Sequence, residues 1–344
     1  MFAKGATALV TIKDISKACG VSPSTVSKVL NGYTDISRET VEHVFSTAEK
    51  MGYTPNAAAR MLKTNRSLNL GVLFVDEMQS GLRHEYFSAM LNSLKDEAER
   101  HGYDINFISR NLNGHHMSYL DHCRYRKCDG VVIACVDFND PEVTDLLRSE
   151  IPVVTVDYLF DQRGAVVSDN VRGMSELTDY IIKQGHRAIA YIHGEMTSVT
   201  RNRLVGFYRT CEAAGIRVPD EYVRAARFHD PDTSARVTHE LLALEHPPTC
   251  IIYPDDICVL GGRSEMESQG LSIPEDISVA GYDGALLSEA LRPPLTTVRQ
   301  DTDTLGRRAA AILIEAIENK KTYLPQQELI PGQLIPGGTV KKLA

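Results

Sequence analysis

No apolar run in this 344-residue sequence approaches the roughly 20 residues that a membrane-spanning helix needs. The opening MFAKGATALV is too short for the apolar core of a secretion signal, so the expected location is the cytoplasm, with no membrane partner. There is no C-x-x-C pair. The seven cysteines, Cys19, Cys123, Cys128, Cys135, Cys211, Cys250 and Cys258, are odd in number and sit in mostly apolar surroundings, as reduced core thiols do. His115, His116 and His122 precede Cys123 and Cys128 at spacings that match no closed metal site, so no metal is expected. Also missing are a phosphate-cradling glycine loop, a nucleophile elbow, a Rossmann glycine fingerprint and H-E-x-x-H; His84-Glu85 lacks the second histidine. The sequence therefore calls for no cofactor and carries none of these catalytic signatures.

Charge of one sign is scarce in one place. The chain has a formal net charge of -8, yet residues 1–66 hold 9 Lys and Arg against 5 Asp and Glu, while the rest holds 28 against 40. A basic head on an acidic body can bind a polyanion without the whole protein adhering to it. With 43% hydrophobic and 24% charged residues over this length, two or three globular domains are expected.

The head reads as three short helices. Thr11 is placed as an N-cap before Ile12, with Asp14 in the first turn, Ile15, Ala18 and Cys19 on the apolar side, and Gly20 as the stop. Ser22 caps the next helix and Pro23 occupies its first position, where a missing N–H costs nothing. Two short helices joined by a glycine-containing turn form a helix-turn-helix. At 3.6 residues per turn, Val26, Val29 and Leu30 share one side of the second helix and Ser24, Ser27, Lys28 and Asn31 the other. Small hydrogen-bonding groups and one cation suit a helix that enters a DNA major groove, where base edges present donors and acceptors. A third helix is expected from Ser37 to about Met51, with Val41, Val44, Phe45, Ala48 and Met51 inward and Gly52 at its end. The following YTPNAAARMLKTNRS has too little apolar content to bury a face alone, so its short helix is expected to order against DNA and a partner copy.

From Leu70 onward apolar strands alternate with amphipathic helices: LGVLFV, YDINFIS, CDGVVIACV, IPVVTVD, AIAYIHG, TCIIYPD and SVAGYD. This order predicts parallel sheets covered on both faces, and its length predicts two lobes. Open parallel sheets bind ligands beyond the carboxyl ends of their strands, and four strands here run into aspartate: Asp76, Asp157, Asp255 and Asp283. Carboxylates that accept from neighbouring hydroxyls, Arg201 as a forked donor, and Phe228, Tyr158 or Phe160 against the apolar face of a ring suit a sugar or another polyhydroxylated molecule. Asp256 and Asp169 are read as caps for the helices that follow.

Over nearly its whole length the chain resembles the LacI/GalR family of bacterial transcription regulators. The resemblance rests on VTIKDISKACGVSPSTVSKVLNG, ISRETVEHVFSTAEKMGYTPNAAARMLKTNRSLNLGV, RNRLVGF, IPEDISVAGYD and PPLTTVRQD. It implies a helix-turn-helix head over residues 1–54, a hinge helix and linker over 55–68, and an effector-binding core over 69–344 built like periplasmic sugar-binding proteins. The lobes are expected at about 69–164 plus 298–325 and 165–297 plus 326–344. It further implies a homodimer or higher assembly and effector-dependent binding to a near-palindromic operator as DNA partner, with repression as the expected outcome. Pro23, Ser24 and Lys28 match base-reading positions, Thr25, Ser27 and Asn31 supporting contacts, Leu62 a hinge leucine wedged into the minor groove, and Ala59 the residue beside it. Arg201 and Asp283 match the main effector positions, Asp157 and Phe228 less constant ones. One departure is Asp255-Asp256, where relatives commonly show Asn-Asp; an acceptor-only group there disfavours an anionic effector. Paired carboxylates such as Asp157, Asp255 and Asp283 also occur in glycosidases, but an enzyme would leave the first 66 residues unexplained. A secreted solute-binding protein would need an export signal in place of the head. The chain is therefore read as a regulator and not an enzyme. The final LIPGGTVKKLA shows no heptad repeat, which favours a dimer over a coiled-coil tetramer.

Overall fold

The computed structural model describes residues 10–30, 35–53, 66–75, 81–83, 85–112 and 114–343. The chain separates into two compact units, Met1–Ser67 and Leu68–Ala344.

The first unit contains α1 (Ile12–Cys19), α2 (Pro23–Leu30) and α3 (Arg38–Lys50). Thr11 closes a capping box on α1: its Oγ1 accepts from the Asp14 amide and the Asp14 carboxylate accepts the Thr11 amide at 2.9 Å. Gly20, at φ 67°, ends α1 in the left-handed conformation that only glycine adopts without cost. Ser22 Oγ accepts the Thr25 amide at 3.1 Å and so starts α2, and Ser37 does the same for α3 through Thr40. Ile15, Val26, Val29, Val44 and Ala48 are buried together and hold the three helices around one small core. Phe45 does not join them and stays 49% exposed. Val44 and Ala48 set the inward direction of α3, and Phe45 lies about 100° around the helix from Val44. Asn31, Ala59, Leu62 and most of the expected hinge lie outside the described residues, as does Asp76.

In the second unit the strands are β1 (Asn69–Phe74), β2 (Asp104–Ile108), β3 (Asn111–Leu112), β4 (His115–His116), β5 (Gly130–Ala134), β6 (Val153–Val156), β7 (Gly164–Ser168), β8 (Ile189–His193), β9 (Val223–Ala225), β10 (Cys250–Ile252), β11 (Ser278–Ala280), β12 (Thr297–Arg299), β13 (Gln327–Ile330) and β14 (Gln333–Ile335). They form a parallel six-stranded sheet in the order β13-β7-β6-β5-β1-β2 and a parallel four-stranded sheet in the order β11-β10-β8-β9. An antiparallel β12–β14 ribbon joins the second sheet through a bridge from Ala280 to Thr296. Helices cover both faces of each sheet, so β5, β6, β7, β8, β10 and β11 are buried along their whole length and read as continuous apolar runs.

Two segments fall in the other lobe from the one expected. β7 pairs with β6, and β13 pairs with β7 from Gln327↔Ala165 to Ile330↔Ser168, so residues 165–168 and 327–330 belong to the first sheet. β7, buried on both faces, carries no periodicity that says which sheet it joins, and β13, with Ile330 alone buried, carries too short a pattern to say so. The packing of helix Thr302–Glu318 on helix Glu85–Arg100 and on β5–β7 decides it, by returning the chain to the first lobe before β13.

Candidate functional site

The carboxyl ends of both sheets face one cavity of about 410 Å³. The chain reaches it by left-handed turns straight after the strands. Cys135 (φ 52°) follows β5, Asp157 (φ 56°) follows β6, His229 (φ 56°) lies beyond β9 and Asp283 (φ 102°) beyond β11. All four line the cavity. A positive φ is costly for residues with a Cβ and persists where surrounding contacts over-determine it, commonly at functional sites.

Those contacts form a continuous polar wall. Asp157 accepts the Tyr86 hydroxyl at 2.6 Å and the Ser168 amide at 2.7 Å, and its carbonyl takes the Ser198 hydroxyl at 2.7 Å. Ser198 opens a helix of the second lobe, so Asp157 ties the lobes together at the cavity. Burial, with the Asp157 charge beside it, holds the Tyr86 hydroxyl protonated well beyond its ordinary range. Across the cavity Arg203 is 2% exposed. It donates to Asn170 Oδ1 and to the Pro254 carbonyl, both at 2.8 Å, lies 3.6 Å from Asp283 Oδ1, and covers the Tyr282 ring at 3.6 Å from its centroid. Burial works against its charge, but Tyr282 and Asp283 outweigh that and raise its pKa. Burial in turn pushes the Tyr282 hydroxyl up to about 12. Gln300 donates to Asp283 at 2.7 Å and completes the wall.

Flat surfaces frame these groups. Phe138 and Tyr158 stack with ring centroids 3.8 Å apart and planes 4° from parallel, and both line the cavity. Phe228 is set by Glu195, which accepts its amide at 3.1 Å, and by Gly194, where a Cβ would lie 2.3 Å from the ring. No residue larger than glycine leaves that ring in place.

Of the sequence-derived effector residues, Asp157, Asp283, Phe228 and Arg201 line the cavity, Arg201 as an exposed rim residue. Asp255 does not line it. Its carboxylate, 1% exposed, accepts the amides of His229 and Cys258, both at 2.8 Å, so it starts helix Cys258–Ser268 and fixes the turn that carries His229. An acceptor on each oxygen is what two N–H donors require, so Asp255 fixes the fold of this turn. Phe160 packs into the first-lobe core instead of the cavity, while Tyr158 lines it. Asp169 caps helix Asn170–Lys183 as expected. Asp256 caps nothing: it accepts from Ala285 N and Thr297 Oγ1, both at 2.7 Å, and clips the Asp283 loop to β12.

Sequence reasoning does not single out Tyr86, Glu195, Phe138 or Arg203. For Arg203 a signal exists in the sequence: Thr200, Arg203, Gly206 and Phe207 follow the i, i+3 and i+4 spacing of one buried helix face, whereas Arg201 points about 200° away from Arg203.

Asp256 should make stability depend on pH. Burial, and then the neighbouring charge of Asp283 and of Asp255, raise its pKa well above the ordinary value. The folded state therefore binds a proton more tightly than the unfolded state. The stability this supplies is complete below the unfolded pKa of about 4 and is lost as pH rises toward the folded pKa. Asp256→Asn, which keeps an acceptor, should flatten the fall in melting temperature above about pH 4; an unchanged slope would show that the carboxyl is ionised throughout.

In the first unit, Ser24 and Lys28 on α2 are exposed, Thr25 and Ser27 half-buried, and Pro23 exposed at its start, while Val26 and Val29 are buried. Ser22 Oγ links to Ser24 Oγ at 2.6 Å and Thr25 Oγ1 at 2.8 Å, which orders the hydroxyls at the helix entrance. Among the described residues no group of three or more His, Cys, Asp or Glu is arranged to hold a metal, and no helix is long and apolar enough to cross a membrane.

Comparison with known proteins agrees with both units. Residues 11–56 match the family described as bacterial regulatory proteins, lacI family, and residues 178–340 match the periplasmic binding protein-like domain. The chain is 30% identical over 343 residues to the HTH-type transcriptional repressor PurR of Mannheimia succiniciproducens, covering 98% of this chain and 100% of that protein. Against the repressor of the same name from Vibrio campbellii it is 31% identical over 343 residues, covering 97% and 100%. Its fold superimposes on the lac repressor dimer bound to operator and the anti-inducer ONPF with a TM-score of 0.78 at 24% identity, covering 97% of this chain and 100% of that one. The transcriptional regulator CelR–cellobiose complex gives 0.72 at 24%, covering 96% and 99%. The chain belongs to the lacI family of bacterial regulatory proteins, DNA-binding transcription regulators with a helix-turn-helix head and a two-lobed effector-binding core.

Proposed function

We propose that this protein is a homodimeric repressor whose operator affinity is set by a neutral polyhydroxylated solute, a sugar, held in the cavity between the core lobes. The observation that carries the choice of solute is the lining. Asp137, Asp157, Glu195 and Asp283 face two guanidinium groups, those of Arg201 and Arg203, and Arg203 is already paired with Asp283. This excess of acceptors repels an anion and welcomes hydroxyl donors, while Phe228 and the Phe138–Tyr158 pair offer faces for the C–H side of a sugar ring. In the head, Ser24, Thr25, Ser27 and Lys28 act as the base- and backbone-reading row, with Pro23 setting the helix entrance. Asn31, Ala59 and Leu62 complete the DNA contact by resemblance alone.

The same flat rings also suit a nucleobase, so one experiment has to separate the two. A thermal-shift screen of the full-length protein with neutral sugars, sugar phosphates, nucleosides and free bases should give its largest shift with a neutral sugar; about 100 Kd of ligand stabilises the folded state by roughly 2.7 kcal/mol. A shift confined to bases or to phosphorylated compounds would overturn the sugar assignment and leave the cavity assignment standing.

A further inference from the structure

The DNA-facing side of α2 carries an ion pair whose partner comes from the start of α3. Lys28 Nζ lies 2.5 Å from Asp35 Oδ2, with side chains 47% and 57% exposed. The next two residues anchor Asp35: Ile36 packs on the head core, and Ser37 is the N-cap of α3. The hydrogen bond from Lys28 holds the Asp35 carboxyl below its ordinary pKa. A pair this exposed contributes little to folding. Its consequence is local, because it occupies the cation on the outward row of α2.

Non-specific DNA binding consists of lysine and arginine side chains meeting phosphates, and each such contact adds about 0.9 to the slope of log K against log salt. Specific reading by lysine uses base-edge acceptors such as the O6 and N7 of guanine. A phosphate has to draw the ammonium away from the carboxylate, whereas the neutral O6 and N7 of a guanine can accept from its two remaining donors while Asp35 keeps the third. We propose that Asp35 is a specificity-determining residue: as an internal counter-ion it withholds Lys28 from phosphates on non-cognate duplex and still lets it bond a base edge that offers paired acceptors. This rests on the assignment of Lys28 as a base-reading residue.

The test measures fluorescence anisotropy of two duplexes across a salt series, one of random sequence and one recovered by the wild-type protein from a randomised pool. Asp35→Asn should bind random duplex about 3- to 10-fold more tightly, with a salt slope steeper by about one, while affinity for the recovered duplex changes less than about twofold. In a Lys28→Met background Asp35→Asn should change neither. An equal gain on both duplexes, or a gain that survives Lys28→Met, would mean that the carboxylate merely repels phosphate and would overturn the proposal. Loss of affinity for the recovered duplex would also overturn it, by making Asp35 a direct DNA contact. The underlying assignment fails separately: Lys28→Met alone would then leave the recovered duplex bound as tightly as before.

Discussion

Arg203→Met should destabilise the core by about 3–5 kcal/mol, the usual cost of removing one partner from a buried charge pair. The guanidinium is 2% exposed and bonds Asn170 and the Pro254 carbonyl, sits against Asp283 and stacks on Tyr282. Methionine fills much of the volume but supplies no donor, so the Asn170 and Pro254 oxygens lose their partner and the Asp283 carboxylate its only nearby cation among the described contacts. In a chain of this size the change corresponds to a fall in melting temperature on the order of 10 °C. The effector response should vanish with it, because Asp283 and Gln300 are positioned through the same network. Arg201→Ala, at the exposed rim, should leave the melting temperature within about 1 °C, as surface substitutions usually do. If the two variants melt together near wild type, the buried network is not what holds this wall.

Gly261→Ala should cost the core about 3 kcal/mol, at the upper end of ordinary overpacking. A Cβ at this position would lie 1.8 Å from the Pro231 carbonyl oxygen, and backbone cannot swing aside as a side chain can. Helices Pro231–Leu242 and Cys258–Ser268 would have to separate. Their leading ends carry Phe228 and His229 on one side and Asp255 on the other, joined by the His229–Asp255 hydrogen bond. The substitution should therefore weaken ligand binding as well as stability, although Gly261 does not itself line the cavity. Scanning calorimetry with and without the solute separates the two effects; a variant that melts as wild type would contradict this packing.

How local each signal is decides whether the sequence alone reveals it. Thr11–Asp14, Gly20, Ser22–Pro23 and Ser37 are capping signals decided within a few residues, and all of them lie at helix ends in the structure. The alternation of apolar strands and helices likewise predicts two parallel sheets. Which sheet receives β7 and β13 is decided by long-range packing of helix Thr302–Glu318, and no short window contains that information. The same division runs through the site. Asp157 and Asp283 face the cavity because they follow strands whose ends meet there, whereas Asp255 occupies the equivalent place yet turns its oxygens onto two amides. Arg201 and Arg203 differ only in which side of one helix faces the core, and the buried row of Thr200, Gly206 and Phe207 settles it.

The central claim is that a solute in the core cavity alters the grip of the head on DNA. The most direct measurement is the anisotropy of duplex recovered from a randomised pool, titrated with the full-length protein in the absence of the stabilising solute and at saturation. A roughly tenfold to hundredfold difference in Kd is expected, the usual range for coupling of about 1–3 kcal/mol, and it should be absent in Arg203→Met. A solute that raises the melting temperature of the wild-type protein yet leaves its Kd for that duplex unchanged would contradict the claim.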